Sequence, residues 1–427
     1  MTRTIKIIGI ISLILMLAGV IMKLLYIPDQ LIIIGAGILF FDLIILPAFL
    51  VYKLKRSANM YERILHIAGF LFCFIFFIAF GITLQRQSLP FIVITICSGI
   101  LILGYFIFLI TKNGDIPVEK IKWQFLSAYL SAVILVFINL PVEVQGVDKF
   151  YNPPILHPSY AKGQGPVIFI DQGHNNIHIL NGRLRSTAKL LRRDGYRVLS
   201  YEGQFESSRL KEGKVLMIVN AVHKSNIEDW TLPTPSAFSD DEIKSVTDWV
   251  YQGGSLFLIA DHMPFAGAAS KLASQFGFIL HNGFALDTIR RDDYFFRTDN
   301  TLHDNIITNG NNPDEWIDSI LTFTGHAFEI PEDATPIMTF SEAYMQWCPD
   351  TAWKFQNTIP EVITGYSQGA FKKFGEGRVV ILGEAMMITA QLAVGLSWKK
   401  IGMNSPQAPY NYQLLLNITR WLDGRLE

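Results

Sequence analysis

The chain has 427 residues, of which 50% are hydrophobic and 17% are charged, and its formal net charge is −1. This composition excludes a disordered chain and a basic protein that binds nucleic acid. The averages conceal two unlike parts, because residues 1–143 carry 11 basic against 6 acidic side chains and the rest of the chain is net acidic. The chain is also long enough for more than one domain.

Five apolar runs lie in the first part of the chain, and each is close to the roughly 20 residues that a helix needs to cross a bilayer. They cover residues 5–26, 31–52, 64–84, 90–111 and 123–141. The first run is too long for the apolar part of a signal peptide, and further runs follow it. We therefore expect residues 1–143 to form a bundle of five transmembrane helices in contact with the lipid bilayer.

Basic residues between the runs predict the orientation of this bundle. Lys53, Lys55 and Arg56 lie between the second and third runs, and Lys112 and Lys120 lie between the fourth and fifth. Basic loops favour the cytoplasmic side of a membrane. We therefore expect a multi-pass protein of the cell membrane with a cytoplasmic N-terminus and an extracytoplasmic C-terminal domain.

One acidic residue, Asp42, lies inside the second run. A charged side chain is costly at that depth in a bilayer, so it marks a candidate functional residue. The alternative is a protonated or paired carboxyl group that only holds neighbouring helices together.

The second part of the chain has the pattern of an α/β domain. Residues 144–165 are rich in proline and glycine and predict a linker. From residue 166 to residue 427, short apolar strands alternate with amphipathic helices, one of which begins at a capping box formed by Ser239 and Glu242. This alternation predicts a mostly parallel sheet covered by helices on both faces.

Polar side chains follow several of the predicted strands. In open parallel sheets, ligands bind beyond the carboxyl ends of the strands. The candidate metal ligands at this edge are Asp171, His174, Asp261 and His262. Imidazole and carboxylate groups suit zinc, manganese or iron, so the sequence predicts a divalent-metal site here. The competing interpretation is that these side chains only bind loop backbone.

The same edge offers candidates for catalysis and for ligand binding. Glu384 and His178 are candidate general bases that would act on a metal-bound water. The candidate ligand-binding residues are Asn175, Asn220 and His326.

Other nucleophile motifs are excluded. Ser367 lies in a G-x-S-x-G pattern, but no histidine follows it in the chain, so the hydrolase order of serine, acid and histidine is impossible. Cys348 lacks a strand-to-helix elbow, and the chain has no Cys-x-x-Cys motif.

Residues 166–424 resemble a bacterial group of membrane-anchored proteins with a class I glutamine amidotransferase-like fold. The resemblance rests on FIDQGHNNIH, LLRRDGYRV, LMIVNA, GGSLFLIADHMPFAGAA and GRVVILGE, together with NYQLLLNITRWLDG near the end. It extends to domains of intraflagellar-transport and trehalose-utilisation type. It implies the fold but no activity. The amidotransferase nucleophile is a cysteine after a central strand, and none stands in VNAVHKSN or ADHMPF, so we expect no glutaminase activity.

Three functions agree with these observations. The first is a metal-dependent hydrolase that acts on an envelope or small-molecule substrate. The second is a sensory or binding domain that holds a small molecule or a glycan without turning it over. The third is a structural subunit whose helices bind partners in a membrane complex. No nucleic acid is expected as a partner.

Overall fold

The computed structural model describes residues 3–24, 30–86, 145–289, 293–393 and 399–427. The chain divides into two compact units. The helical unit comprises Met1–Gly146 and Leu392–Lys399, and the sheet unit comprises Val147–Gln391 and Lys400–Glu427. Residues 147–165, which the sequence predicts to be a linker, therefore belong to the sheet unit.

The helical unit consists of apolar helices. Their bounds are α1 (Arg3–Leu24), α2 (Gln30–Phe40), a π-helical turn (Phe41–Ile45), α3 (Leu46–Leu54) and α4 (Met60–Arg86). The π-helical turn ends just before Pro47, whose missing N–H interrupts the ladder of backbone hydrogen bonds. Ser12 in α1 donates a hydrogen bond of 2.7 Å to the carbonyl of Gly37 in α2.

The prediction of a five-span bundle is wrong as a description of this fold. Within the described residues, two stretches are long and apolar enough to cross a membrane, Ile33–Leu54 and Met60–Phe77, and Ile7–Gly19 is shorter. The predicted runs 90–111 and 123–141 lie outside the described residues. Hydropathy alone does not separate a span from a core helix or a signal sequence. The larger part of the structure is a domain built on a mixed sheet.

The sheet unit is organised around a nine-stranded sheet. Its strands are β2 (Val167–Asp171), β3 (Arg197–Tyr201), β4 (Val215–Val219), β5 (Ser255–Ile259), β6 (Ile279–Leu280), β10 (Phe328–Glu329), β11 (Thr335–Thr339), β14 (Ser367–Phe374) and β15 (Gly377–Leu382). The order across the sheet is β3-β2-β4-β5-β15-β14-β10-β6, and β11 pairs with β14.

The sheet is parallel on one side and antiparallel on the other. The pairs β3–β2, β2–β4, β4–β5 and β5–β15 are parallel. The pairs β15–β14, β14–β10, β10–β6 and β14–β11 are antiparallel. The prediction of a mostly parallel sheet is therefore corrected to a mixed sheet. Apolar runs of this length mark buried strands but carry no information on their direction.

Smaller sheets and short strands complete the unit. β7 (Phe284–Asp287), β12 (Tyr344–Trp347) and β13 (Glu361–Val362) form one sheet, and β8 (Tyr294–Phe296) pairs with β9 (Ser319–Leu321). The remaining strands are β1 (Gln145–Val147), β16 (Ala390–Ala393) and β17 (Lys399–Gly402).

Helices cover both faces of the large sheet. They are α5 (Arg185–Arg193), α6 (Ser207–Leu210), α7 (Asp240–Tyr251), α8 (Phe265–Ser274), α9 (Ile306–Asn309) and α10 (Asn411–Asp423). Alternate residues of each strand face opposite ways. Ile168 and Ile170 thus pack in one core with α5 and α10, while Val167 and Phe169 pack in the other with α7 and α8.

A buried ion cluster ties the end of α5 to α10. Arg420 donates hydrogen bonds to Asp194 from two of its nitrogens, at 3.1 and 2.8 Å, and a third bond of 2.6 Å to Glu315. It also donates to the backbone carbonyl of His157, which anchors the segment before β2. These charges are paired and hydrogen-bonded, as buried charges must be.

Candidate functional site

Polar residues stand at the carboxyl ends of three neighbouring strands, as the sequence predicts. Asn220 follows β4, Asp261 stands just beyond β5, and Glu384 stands just beyond β15. Because β4, β5 and β15 are adjacent and parallel, their ends meet at one edge of the sheet. Asp171 is the last residue of β2, which lies on the other side of β4.

The predicted metal ligands separate into two different settings. The first is a buried triad of Asp171, His174 and Glu242. Nδ1 of His174 lies 2.8 Å from Oδ1 of Asp171, and Nε2 lies 2.8 Å from Oε1 of Glu242. Both nitrogens of the ring therefore face carboxylate oxygens, which only accept hydrogen bonds.

This geometry favours the imidazolium form of His174. A neutral imidazole has one N–H and could satisfy only one of the two carboxylates. Burial favours the neutral ring, but hydrogen bonds and charges from Asp171 and Glu242 outweigh it and raise the pKa of His174. An imidazolium has no lone pair for a metal, so in this state His174 does not act as a ligand.

Surrounding groups complete the triad. Asn176 donates hydrogen bonds to Oδ2 of Asp171 and to the carbonyl of Val219, and Ser239 donates to Oε2 of Glu242. The rings of Phe205 and Phe238 pack against the imidazole, with centroids 4.4 and 4.9 Å away. Every polar atom in the triad has a partner, so it stabilises the loop after β2.

The second setting centres on Asp261. Asn220 donates a hydrogen bond of 2.6 Å from Nδ2 to Oδ2 of Asp261 and accepts one of 2.8 Å from the Asp261 backbone N–H. The backbone N–H of Ala385 donates to Oδ1. The residue as a whole is nonetheless partly exposed, so solvent reaches this edge of the sheet.

His178 belongs to the same network. Nδ2 of Asn220 lies 3.1 Å from Nδ1 of His178, so Nδ1 accepts and Nε2 carries the ring proton. Burial and the nearby charge of Arg183 lower the pKa of His178 to about 3. His178 is therefore neutral, and its low basicity makes it a weak candidate for a general base at neutral pH.

Two carboxyl groups share this part of the fold. Glu384 is 1% exposed and accepts hydrogen bonds from the backbone N–H groups of Met386 and Met387. Burial, followed by the charge of Asp261, raises the pKa of Glu384 well above its usual range. Burial also raises the pKa of Asp261. Both groups are thus biased toward the neutral acid.

Two residues near this edge of the sheet carry buried polar atoms without a well-aligned partner. Oε1 of Gln368 and both ring nitrogens of His326 form no well-aligned hydrogen bond with any residue that the structure describes. Burial lowers the pKa of His326 to about 3. A Cβ built on Gly325 would lie 2.7 Å from Nε2 of Gln368 and 2.9 Å from Cβ of Glu384, so these groups are neighbours. Buried polar atoms without partners are uncommon and suit a site that binds a ligand or water.

His262 lies in an aromatic setting. Its Nδ1 donates a hydrogen bond of 2.7 Å to the carbonyl of Met263, which leaves the lone pair on Nε2. Phe284 stacks on the ring at 4.4 Å, and Trp353 meets it edge-on at 4.8 Å. Burial lowers the pKa of His262, although the charge of Asp261 opposes this effect.

The remaining predicted residue, Asn175, has a local role in the structure. It is exposed, its φ is 50°, and its side chain donates to the carbonyl of Val222. Asparagine is one of the residues that accept this left-handed turn conformation.

Among residues 3–24, 30–86, 145–289, 293–393 and 399–427, no group of three or more histidine, cysteine, aspartate or glutamate side chains is arranged to hold a metal. The four candidate ligands are thus not brought together as one ligand set. Asp171 and His174 bind each other, whereas Asp261 binds Asn220 and Ala385. The divalent metal stays a prediction.

The sequence does not identify Glu242, Arg183 or Gln368 as members of these clusters, and it places Glu242 only in a helix cap. The capping box does form, but the second oxygen of Glu242 also reaches His174.

No family model and no curated protein matches the chain. Among solved structures, the N-terminal domain of mmIFT52 is similar, with a TM-score of 0.43 and 11% identity over 60% of this chain and 97% of that domain. The cytoplasmic protein STM1381 from Salmonella typhimurium LT2 has a TM-score of 0.32 and 13% identity over 61% and 99%. The exo-beta-1,4-mannosidase Op5Man5 from Opitutaceae bacterium strain TAV5 has a TM-score of 0.28 and 15% identity over 52% and 31%.

Proposed function

We propose that the sheet unit binds a polar, hydroxyl-bearing small molecule or glycan at the edge of the sheet around Asp261. We further propose that apolar helices attach the chain to a membrane and that the loop of residues 55–59 faces the cytoplasm. The observation that carries the binding proposal is the partly exposed Asp261, whose carboxyl group is held between Asn220 and Ala385 at the carboxyl end of β5.

This edge supports the proposal because it offers both hydrogen-bond donors and hydrogen-bond acceptors in fixed positions. Nε2 of His178 is a donor, the carboxyl group of Asp261 accepts, and Nε2 of His262 accepts. Asn220 holds two of these three side chains in place. Pre-positioned donors and acceptors select a ligand whose hydroxyl groups match them.

Aromatic side chains beside His262 add an apolar surface to the site. Trp353 is 52% exposed and packs against both His262 and Phe284. Trp230 is also nearby, with its centroid 6.0 Å from the His262 ring. Binding pockets combine such aromatic walls with a few fixed polar groups.

Hydrolysis at the same place is the second candidate function. Asp261 is biased toward the protonated acid, and its neighbour His262 keeps a lone pair on Nε2. An acid and a base with these opposite properties suit general acid–base catalysis. If a divalent metal takes part, Asp261 and His262 are the candidate ligands that remain, because the ring nitrogens of His174 are both engaged.

The experiment is thermal unfolding of the full chain in detergent with a panel of neutral mono- and oligosaccharides. A ligand that binds only the folded state raises the unfolding temperature. We expect at least one sugar to do so with the wild type and not with Asp261→Asn. The exposed Asp241 provides the control Asp241→Asn, which should respond as the wild type does.

No response to any sugar, or the same response in Asp261→Asn, would contradict the proposal. Release of a reducing sugar from the bound compound would favour hydrolysis.

A further inference from the structure

We propose that the indole of Trp353 is a stacking platform for a sugar ring, and that the ligand at the edge of the sheet around Asp261 is a pyranose. This inference rests on the binding function proposed above. It narrows the ligand from any hydroxyl-bearing molecule to a ring that also has an apolar face. In this arrangement Trp353 contacts the face of the sugar ring, and the polar groups of the site contact its hydroxyl groups.

Contacts with three aromatic rings fix the position of Trp353. Its ring centroid lies 4.8 Å from that of His262, 4.6 Å from that of Phe284 and 6.3 Å from that of Phe355. Because His262 directly follows Asp261 in the chain, the indole lies beside the polar groups of the site. Phe284 is fully buried, whereas Trp353 is 52% exposed. The protein therefore holds the indole in place and leaves part of it open to solvent.

The backbone around Trp353 forms a tight turn that is tied to a second segment. The N–H of Lys354 bonds to the carbonyl of Thr351 at 3.1 Å, so Trp353 is the third residue of a β-turn. The N–H of Ala352 bonds to the carbonyl of Trp230 at 2.9 Å. Both tryptophans beside His262 therefore belong to segments that are hydrogen-bonded to each other.

The conformation of Trp353 is an independent observation. Its φ is 67°, and a positive φ at the third position of a β-turn favours glycine. Among the residues that the structure describes, the other non-glycine residues with a positive φ are asparagines, which tolerate it: Asn175, Asn220 and Asn300. A tryptophan in this conformation is strained, and such strain clusters at functional sites. The chain thus places a large exposed ring where the backbone favours no side chain at all.

The groups beside the indole favour a pyranose as its partner. The face of an aromatic ring carries partial negative charge, which attracts the C–H groups on the face of a sugar ring. Hydroxyl groups at the rim of the same sugar can bond to Nε2 of His262 and to Asp261, which are held by Met263 and Asn220. A lipid chain would also cover the indole, but it would remove water from these polar groups without replacing its hydrogen bonds, which is costly.

The test compares three pyranoses, glucose, galactose and mannose, with their acyclic alditols, glucitol, galactitol and mannitol. Each alditol carries hydroxyl groups along the same carbon chain but has no ring face. Dissociation constants are measured by calorimetry on the full chain, in a detergent whose headgroup is not a sugar.

The variants are Trp353→Gly, Trp353→Phe and the control Trp316→Ala. Glycine adopts a φ of 67° without strain, so Trp353→Gly removes the indole and keeps the turn. Trp316 is 45% exposed and packs against Arg297, so its replacement removes another exposed indole.

We expect the wild type to bind at least one sugar about ten-fold or more tightly than its alditol. Trp353→Gly should weaken binding of that sugar by about the same factor and remove the preference for the ring. Trp353→Phe should retain part of the preference, because a smaller aromatic face remains, and Trp316→Ala should bind as the wild type does. The sugar should also change the tryptophan fluorescence of the wild type but not that of Trp353→Gly.

Three results would overturn the inference. If a sugar binds and Asp261→Asn weakens it but Trp353→Gly does not, the stacking platform is wrong and the binding function stands. A preference for the ring that persists in Trp353→Gly also overturns the inference. If none of the three sugars binds, the inference fails even where an oligosaccharide of the wider panel binds. If no sugar of that panel binds, the inference and the proposed binding function fail together.

Discussion

Nε2 of His174 lies 2.8 Å from Oε1 of Glu242, although 68 positions separate the two residues in the chain. The contact ties the loop after β2 to the first turn of α7. Because Asp171 holds the other ring nitrogen, one buried cation lies between two buried carboxylates. Removing one member of such a cluster leaves an uncompensated charge.

The first prediction concerns Glu242→Gln. It removes one of the two negative charges, and the amide can no longer match both His174 and Ser239. We expect the free energy of unfolding to fall by about 2–4 kcal/mol, near the range for a broken buried ion pair. Denaturant unfolding of the full chain in detergent measures this. The exposed Glu228 supplies the control Glu228→Gln, which should change stability by less than about 0.5 kcal/mol. Equal effects of the two substitutions would refute the triad.

The second prediction is a pH dependence that the triad sets. The folded state raises the pKa of His174 above 6.5, so its contribution is complete below that pH and is lost as the pH rises through the folded value. Glu242 has its pKa lowered below 4.5, so its contribution is present above that pH and is lost as the pH falls through the folded value. The triad is therefore strongest between about pH 4.5 and 6.5.

Unfolding temperatures measured from pH 4 to pH 9 check this window. Above pH 6.5 the unfolding temperature of the wild type should fall more than that of His174→Gln, because only the wild type loses the charge of His174. A difference between the two proteins that stays constant from pH 6 to pH 9 would show that His174 is not the titrating group.

The third prediction concerns Arg420→Met. The substitution keeps most of the side-chain volume but leaves Asp194 and Glu315 buried without their cation. We expect a loss of about 3–5 kcal/mol in the free energy of unfolding. The exposed Arg197 on β3 provides the control Arg197→Met. If denaturant unfolding showed equal stability for both variants, the cluster would contribute nothing.

The fourth prediction uses the backbone of Trp353, whose φ is 67°. This left-handed conformation is strained for a tryptophan and free of strain for glycine. Trp353→Ala and Trp353→Gly both remove the contacts with His262 and Phe284. We expect the glycine variant to be more stable than the alanine variant by about 1 kcal/mol, whereas glycine is ordinarily the less stable of the two. Thermal unfolding of the two variants shows which of them is the more stable.

The fifth prediction tests the attachment to a membrane. In a background where Cys73, Cys97 and Cys348 are replaced by serine, single cysteines are introduced at the exposed Lys55 and Lys211. A maleimide that cannot cross membranes should label Lys211→Cys in intact cells and Lys55→Cys only after lysis, because the basic loop favours the cytoplasm. Labelling of both in intact cells, or of neither, would refute the proposed orientation.

The sequence predicts the edge of the sheet where Asn220, Asp261 and Glu384 meet. It does so because each residue directly follows a buried apolar strand, and parallel strands bring such ends together. The capping box at Ser239 is also predicted from local spacing and is present. These features depend on neighbours in the chain or on the direction of β4, β5 and β15.

The other features of the fold and the site depend on contacts between distant residues, which the spacing of residues in the sequence does not encode. The pairing of His174 with Glu242 joins distant segments, so a histidine that suits a metal by its type is instead held as a cation. The antiparallel direction of β14, β10 and β6 comes from pairings between segments that the residues of each strand do not encode. The five-span prediction rests on hydropathy, which counts apolar residues and does not separate a membrane span from a core helix. For this reason it fails for the described residues.

Asn220 illustrates how few amino acids one position of this fold can accept. Its φ is 49°, which glycine, asparagine and aspartate adopt with least strain. Its amide nitrogen bonds to His178 and to Asp261, and its oxygen accepts the N–H of Asp261. Glycine would have no side chain for these bonds, and aspartate would oppose Asp261 with a second acceptor. In a library of all twenty amino acids selected for ligand binding, position 220 should therefore return asparagine alone, and an engineered version of this site must retain it.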